Sequence, residues 1–159
     1  SLRNLSMIVL YRPDTNKVIW HKQFPWIQQH DVDILNDHQI SIYNNKRLIH
    51  SFEKSDKKNN DVLIYDFIND EVSNSYETLF NDYEIREKFE GLVEIGKDGS
   101  IFIEQSVSGR AMQFDKKGNL IWKYVNRAKN NNLYRLNWSR IIENIDDDFL
   151  AELKKLNCD

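Results

Sequence analysis

The chain has 159 residues, of which 40% are hydrophobic and 30% charged, the make-up of an ordinary folded domain with a core of its own. Twenty-two basic residues stand against twenty-five acidic ones, a net charge of −3, with the basic residues scattered. That balance excludes a broad polyanion-binding face, so no nucleic-acid partner is expected, and no apolar run approaches the ~20 residues of a membrane span.

From the N-terminus, residues 5–23 read as two strands: "SMIVLYRPDTNKVIWHKQ" alternates on both sides of a Pro-Asp-Thr-Asn reversal and ends near Trp20. No charged-then-apolar leader precedes them, so the chain is expected to begin inside a fold. "HDVDILNDHQISIYNN" (30–45) follows as a strand–turn–strand, and "DVLIYDFINDEVSNSYE" (61–77) as a second, weaker hairpin without tryptophan. "GLVEIGKDGSIFIEQS" (91–106) aligns without a gap on 30–45, placing Ile34 on Ile95, Asp37 on Asp98, Ile40 on Ile101 and Ile42 on Ile103. "GRAMQFDKKGNLIWKYVN" (109–126) then repeats the first sentence of the chain, with Gly-Asn at its turn and Trp122 where the earlier copy has Trp20.

The order is therefore hairpin one, hairpin two, hairpin one, hairpin two: four short strands in roughly fifty residues, the period of propeller blades. The expected class is all-β: four-stranded antiparallel blades of a partial β-propeller with a short C-terminal α-helix. Residues 5–23 form an outer half-blade, 30–77 and 91–126 full blades, and 131–142 ("NNLYRLNWSRII") the first strand of a further one. A β-sandwich with similar hairpins is the competing reading. Residues 146–157 space Phe149, Leu150, Leu153 and Leu156 as an amphipathic helix, acidic at its front and basic behind. Two full and two partial blades fall short of a closed ring, so either more chain or a second copy completes it, and open blade edges offer self-association.

Candidate chemistry follows from the phase. The first strand of each blade lines the axis of a propeller, which puts His30 at the channel; its counterpart in the next blade is Gly91, so the imidazole is no part of the repeated scaffold. The plain alternative is a structural histidine, and His21, His38 and His50 fall on an outer strand, a turn and a loop. Arg110, matching Asp61, offers a fork for sulfate, phosphate or carboxylate, or else a rim salt bridge. Glu104 stands on the neighbouring strand as a carboxylate to pair with Arg110. Arg135 and Arg140 with Trp138 between them form an anionic or aromatic ligand site, or cap an edge. Trp20 and Trp122 read as core residues of outer strands. No phosphate loop, paired-cysteine zinc spacing or His-Glu-x-x-His is present, so no metal and no cofactor is expected. The lone Cys158 has no partner for an internal disulfide.

The stretches "QQHDVDILNDHQISIYNN", "EGLVEIGKDGSIFIEQSVSGRAMQFDKKGNLIWKYVN" and "YRLNWSRII" resemble the arylsulfotransferase-like family of β-propellers over most of residues 6–142. The resemblance implies transfer of a sulfuryl group from an aryl sulfate to a phenol through a histidine, without a nucleotide, in the bacterial periplasm. It implies His30 as the nucleophile or a sulfate ligand and Arg110 as the charge stabiliser; Glu104, Arg135, Trp138 and Arg140 are expected from their own placement to bind a small aromatic or sulfated ligand. Enzymatic members bring several histidines to the channel, where this chain has His30 and Gly91. A non-catalytic propeller module, binding a ligand or protein partner, is the alternative.

Overall fold

A computed structural model describes residues 1–46, 59–142 and 144–156. His50 and Cys158 lie outside the described residues. Among the described residues, three antiparallel sheets form. The first pairs β1 (Met7–Arg12) with β2 (Lys17–Gln23) around a short turn of 3-10 helix, Pro13–Thr15. The second runs β3 (Val32–Asn36), β4 (Gln39–Asn44), β5 (Asp61–Asp66) and β6 (Glu71–Ser73) in chain order. The third repeats that order with β7 (Leu92–Ile95), β8 (Ile101–Gln105), β9 (Arg110–Phe114) and β10 (Leu120–Val125). The all-β class thus holds, with a helix, α2 (Asp147–Leu153), near the C-terminus.

Alternation decides what each face buries, because successive side chains point to opposite sides of a strand. Ile8 on the back of the first sheet packs with Ile40, Ile42, Leu63 and Tyr65 on the front of the second, together with Trp26 from the connection. Tyr43 and Val62 on the back of the second sheet meet Val93, Ile101, Ile103, Met112 and Phe114 on the front of the third. The two interfaces are copies. Ile40 and Ile42 face the preceding sheet, as do the aligned Ile101 and Ile103.

A helix not legible in the sequence, α1 (Glu77–Asp82), follows β6 and inserts Leu79 and Phe80 into the core between the second and third sheets. It stands in for the tryptophan that the 61–77 hairpin lacks: Tyr83, just after it, stacks edge-on against Phe114 at 4.7 Å. The second strand of that hairpin accordingly stops at Ser73.

Residues 131–142, expected to be a strand, form none. Only an isolated bridge, Arg127 to Leu133, is present. An alternating segment becomes a strand only when another strand takes up its backbone bonds, and these residues spend theirs elsewhere. Leu136 donates to the Ser106 carbonyl at 3.0 Å and Tyr134 to that of Asn126 at 2.8 Å. Leu136 and Ile141 thereby cover Leu92, Phe102 and Ala111 on the back of the third sheet. The C-terminal helix is shorter than the expected 146–157 and starts where Asp146 accepts from the Asp148 and Phe149 amides at 3.0 and 3.2 Å, an N-cap.

Candidate functional site

His30 sits just ahead of β3, at the end of the second sheet where the N-terminal residues, the 24–31 connection and the 86–91 connection meet. Its amide donates to the Tyr43 carbonyl at 3.0 Å, and the Tyr43 amide returns a bond to the Asp31 carbonyl at 2.8 Å, so the β3–β4 ladder continues through the His-Asp pair. The residues around it are tied down from three sides. Arg3 Nη2 donates to Gln28 Oε1 at 2.9 Å and to the Lys88 carbonyl at 3.4 Å, and its guanidinium lies 5.8 Å from the Phe89 ring. Gln29 Nε2 donates to the Met7 carbonyl at 2.9 Å, and Asn45 Nδ2 to the Glu90 carbonyl at 2.9 Å.

The imidazole is half-buried. Burial first, and the charge of Arg3 second, push its pKa below the usual histidine value, with Glu90 opposing. The ring is therefore neutral at pH 7 and keeps a lone pair for attack on an electrophile.

The repeat places Gly91 at the corresponding point of the third sheet, and packing forbids a side chain there. A Cβ on Gly91 would lie 2.5 Å from Cε1 and Cζ of Tyr43, whose fully buried ring fills the space. The absence of a second histidine at this position is thus a consequence of how Tyr43 packs between the sheets.

Arg110 Nε donates to Gln105 Oε1 at 2.5 Å, and its Nη2 to the carbonyls of Tyr83 and Glu84 at 3.1 and 3.3 Å, so it clasps the segment following α1. The expected Glu104–Arg110 pair does not form, because register separates them: Gln105 pairs with Arg110, whereas Glu104 pairs with Ala111 and faces the opposite side of the sheet. Glu104 is fully buried there and accepts from Ser106 Oγ at 2.5 Å and from the Ser139 and Trp138 amides at 2.5 and 3.3 Å. Burial pushes its pKa up, but these donors outweigh it and hold the carboxylate below its usual value. Glu104 is the anchor that pins residues 138–139 to the third sheet.

Those residues carry the other expected ligand groups. Arg140 Nη1 lies 3.7 Å from Glu94 Oε1, and its guanidinium 6.0 Å from the exposed Trp138 ring. The Arg135 carbonyl accepts from Asn126 Nδ2 at 3.1 Å, and the residue is exposed. Arg140 also lines a cleft of about 870 Å³ with Glu94, Phe102, Gln113 and Ile141, on the back of the third sheet. The charge of Arg110 is felt at Tyr43 and Glu87, whereas Trp138 and Arg140 lie with Glu94 on the back of the third sheet.

Asp31 ties the inner strands of the second and third sheets together. Its Oδ2 accepts from the Val93 amide at 3.0 Å, joining the start of β3 to β7, while only 8% of the residue is exposed. Burial, with Asp33 and Glu94 nearby, pushes its pKa from 3.8 up to about 6. A carboxyl whose folded pKa is raised holds its proton more tightly in the native state, so its contribution to stability is lost as pH rises from about 4 through about 6. That loss amounts to at most about 3 kcal/mol. Asp31→Asn keeps an acceptor for Val93 and removes the charge. The variant is expected to melt higher than the unaltered protein at pH 7 and to match it near pH 4 in thermal melts followed by circular dichroism. A lower melting temperature at pH 7 would contradict this account of Asp31.

Among the described residues no three His, Cys, Asp or Glu side chains converge as metal ligands, and no helix is long and apolar enough to cross a membrane. Arg3 and Lys88, which meet beside His30, lie on connections far apart in the chain, so no local signal in the sequence places them there. Compared with known proteins, the family model described as arylsulfotransferase (ASST) matches residues 1–127, a span holding all three sheets and His30. No curated protein and no solved structure matches the chain.

Proposed function

Because the chain belongs to the arylsulfotransferase (ASST) family, we propose that it takes a sulfuryl group from an aryl sulfate onto His30 and passes it to a phenol. The observation that carries this reading is the environment of the imidazole: held in register by its own backbone, half-buried, and kept neutral by burial and the neighbouring Arg3. A neutral imidazole is a nucleophile, and a histidine carrier divides one difficult transfer into two easier ones.

The balance needs no further reactant. A ring nitrogen of His30 attacks sulfur, the sulfur–aryl oxygen bond breaks, and the electron pair leaves as phenolate. The oxygen of an acceptor phenol then attacks the same sulfur, the sulfur–nitrogen bond breaks, and its pair returns to the ring. The proton lost by the acceptor balances the one taken up by the departing phenolate. Arg3 supplies positive charge beside the ring as negative charge grows on the leaving oxygen. Arg110 serves as a positioning residue, holding the 83–84 segment that leads into the 86–91 connection.

A second reading, a module that binds without turnover, is favoured by one feature: Tyr43 excludes a side chain at Gly91, so the third sheet adds no histidine there. The two readings separate in one experiment. The protein is incubated with an aryl sulfate, quenched in base and digested, and its peptides are weighed. The transferase reading expects one SO₃ group on the peptide containing His30. Phenol release with the group on another residue, or no label and no release, would overturn it.

A further inference from the structure

The second and third sheets repeat each other, so the places where they differ mark what a sheet of this pattern does not itself require. The gapless match sets His30 on Gly91, and the alignment of Asp61 on Arg110 sets Asn60 on Gly109. Two polar side chains of the second sheet thus stand where its copy has glycine. Both lie at the same end of that sheet, and Tyr43 joins them: its carbonyl accepts from the His30 amide at 3.0 Å, and its hydroxyl donates to Asn60 Oδ1 at 3.1 Å.

Asn60 is only 3% exposed, and its bonds reach two other segments. Its amide donates to the Ile85 carbonyl at 2.9 Å. Its Nδ2 donates to the Asn45 carbonyl at 3.0 Å, just past β4, and to the Glu87 carbonyl at 3.1 Å. Its Oδ1 accepts from the Glu87 amide as well as from Tyr43. Asn45 adds a second tie, with Nδ2 donating to the Glu87 and Glu90 carbonyls at 3.1 and 2.9 Å. One buried amide therefore holds both backbone groups of Glu87, and with them the start of the 86–91 connection, against the second sheet. A buried amide with donors and acceptor all engaged has one orientation, so the hold is rigid.

That connection reaches the imidazole. The Lys88 carbonyl accepts from Arg3 Nη2 at 3.4 Å, and the charges of Arg3 and Glu90 both act on His30.

We propose that Asn60 is a positioning residue for the His30 site: by clamping Glu87 it keeps the 86–91 connection against the imidazole, with Arg3 and Glu90 in place beside it. Asn60 touches no reacting atom, and its effect on rate rests on the transferase reading above. Misplacing a reacting group by about 1 Å costs on the order of a hundredfold in rate, which is the scale open to such a clamp.

The test pairs proton NMR titration of the histidine rings, without substrate, with the kinetics of phenol release from an aryl sulfate. Asn60→Ala and the milder Asn60→Ser are compared with the unaltered protein, and the serine variant carries the test if the alanine variant does not fold. The His30 signal is identified by its loss in His30→Ala. Burial is the largest cause of the lowered His30 pKa, so a loosened connection is expected to move that titration up toward 6.5. The remaining histidine signals are expected to titrate alike in every protein, since lost stability alone would not single out one imidazole. Turnover is expected to show kcat lower by about tenfold or more, with KM within roughly threefold. A moved His30 titration in proteins that release no phenol would sink the transferase reading and sustain the clamp. A folded variant whose His30 titration stays put, or whose kcat stays within about twofold of an active unaltered protein, would overturn the clamp.

Discussion

Replacing Gly91 with alanine is expected to destabilise the protein by about 3 kcal/mol, a large effect for a single methyl group. Two costs combine. The residue has φ +122°, a backbone conformation that a side chain strains, and the new Cβ would lie 2.5 Å from the Tyr43 ring and 2.9 Å from its hydroxyl. The ring has little freedom to yield. It is fully buried between the second and third sheets, stacks near Phe80 at 6.0 Å, and its hydroxyl donates to Asn60 Oδ1 at 3.1 Å. Asn60 is itself fixed, its Nδ2 donating to the carbonyls of Asn45 and Glu87 at 3.0 and 3.1 Å and its Oδ1 accepting from the Glu87 amide. Strain at Gly91 therefore passes into a buried polar network instead of dissipating at the surface. Urea unfolding of Gly91→Ala beside the unaltered protein measures the loss; equal midpoints would show that Tyr43 gives way and that packing does not explain the glycine.

This glycine also marks what the sequence could and could not reveal. The gapless match of 30–45 to 91–106 made the paired hairpins legible, because alternation with turn residues at fixed offsets is a local signal. The match set Gly91 opposite His30, but the reason for the difference lies in Tyr43, a residue of another sheet. Glu104 and Arg110 show a similar limit. Adjacent strands suggested a pair, yet a register one residue away sends them to opposite faces, and only the ladder of β8 against β9 reveals that. The short α1 escaped because six residues without a side-chain cap carry almost no helical periodicity. Residues 131–142 have a strand's alternation, but a strand also needs a partner, and the sheet they lie against takes them face-on through Leu136 and Ile141. Nothing local in the sequence distinguishes Asp31 from other carboxylates; its bond to the Val93 amide does.

His30 is where the fold and the proposed chemistry meet. Its alanine variant removes the proposed nucleophile and little else: the residue is half-buried, and the bond from its amide to the Tyr43 carbonyl is backbone and survives. Catalytic groups that carry the reacting atom are not replaced by their neighbours, so the loss is expected to reach roughly a thousandfold or more. Arg3 is expected to matter through charge, and Arg110 through the position of the 83–84 segment; neither offers a lone pair to sulfur.

The most direct measurement is the initial rate of phenol release from an aryl sulfate, with a second phenol present as acceptor, by His30→Ala beside the unaltered protein at pH 7. Release by the unaltered chain that drops to the buffer rate in the variant, with matching melting curves, is the predicted result. A variant that keeps a rate within about tenfold of the unaltered protein would contradict a histidine-borne sulfuryl group at this position.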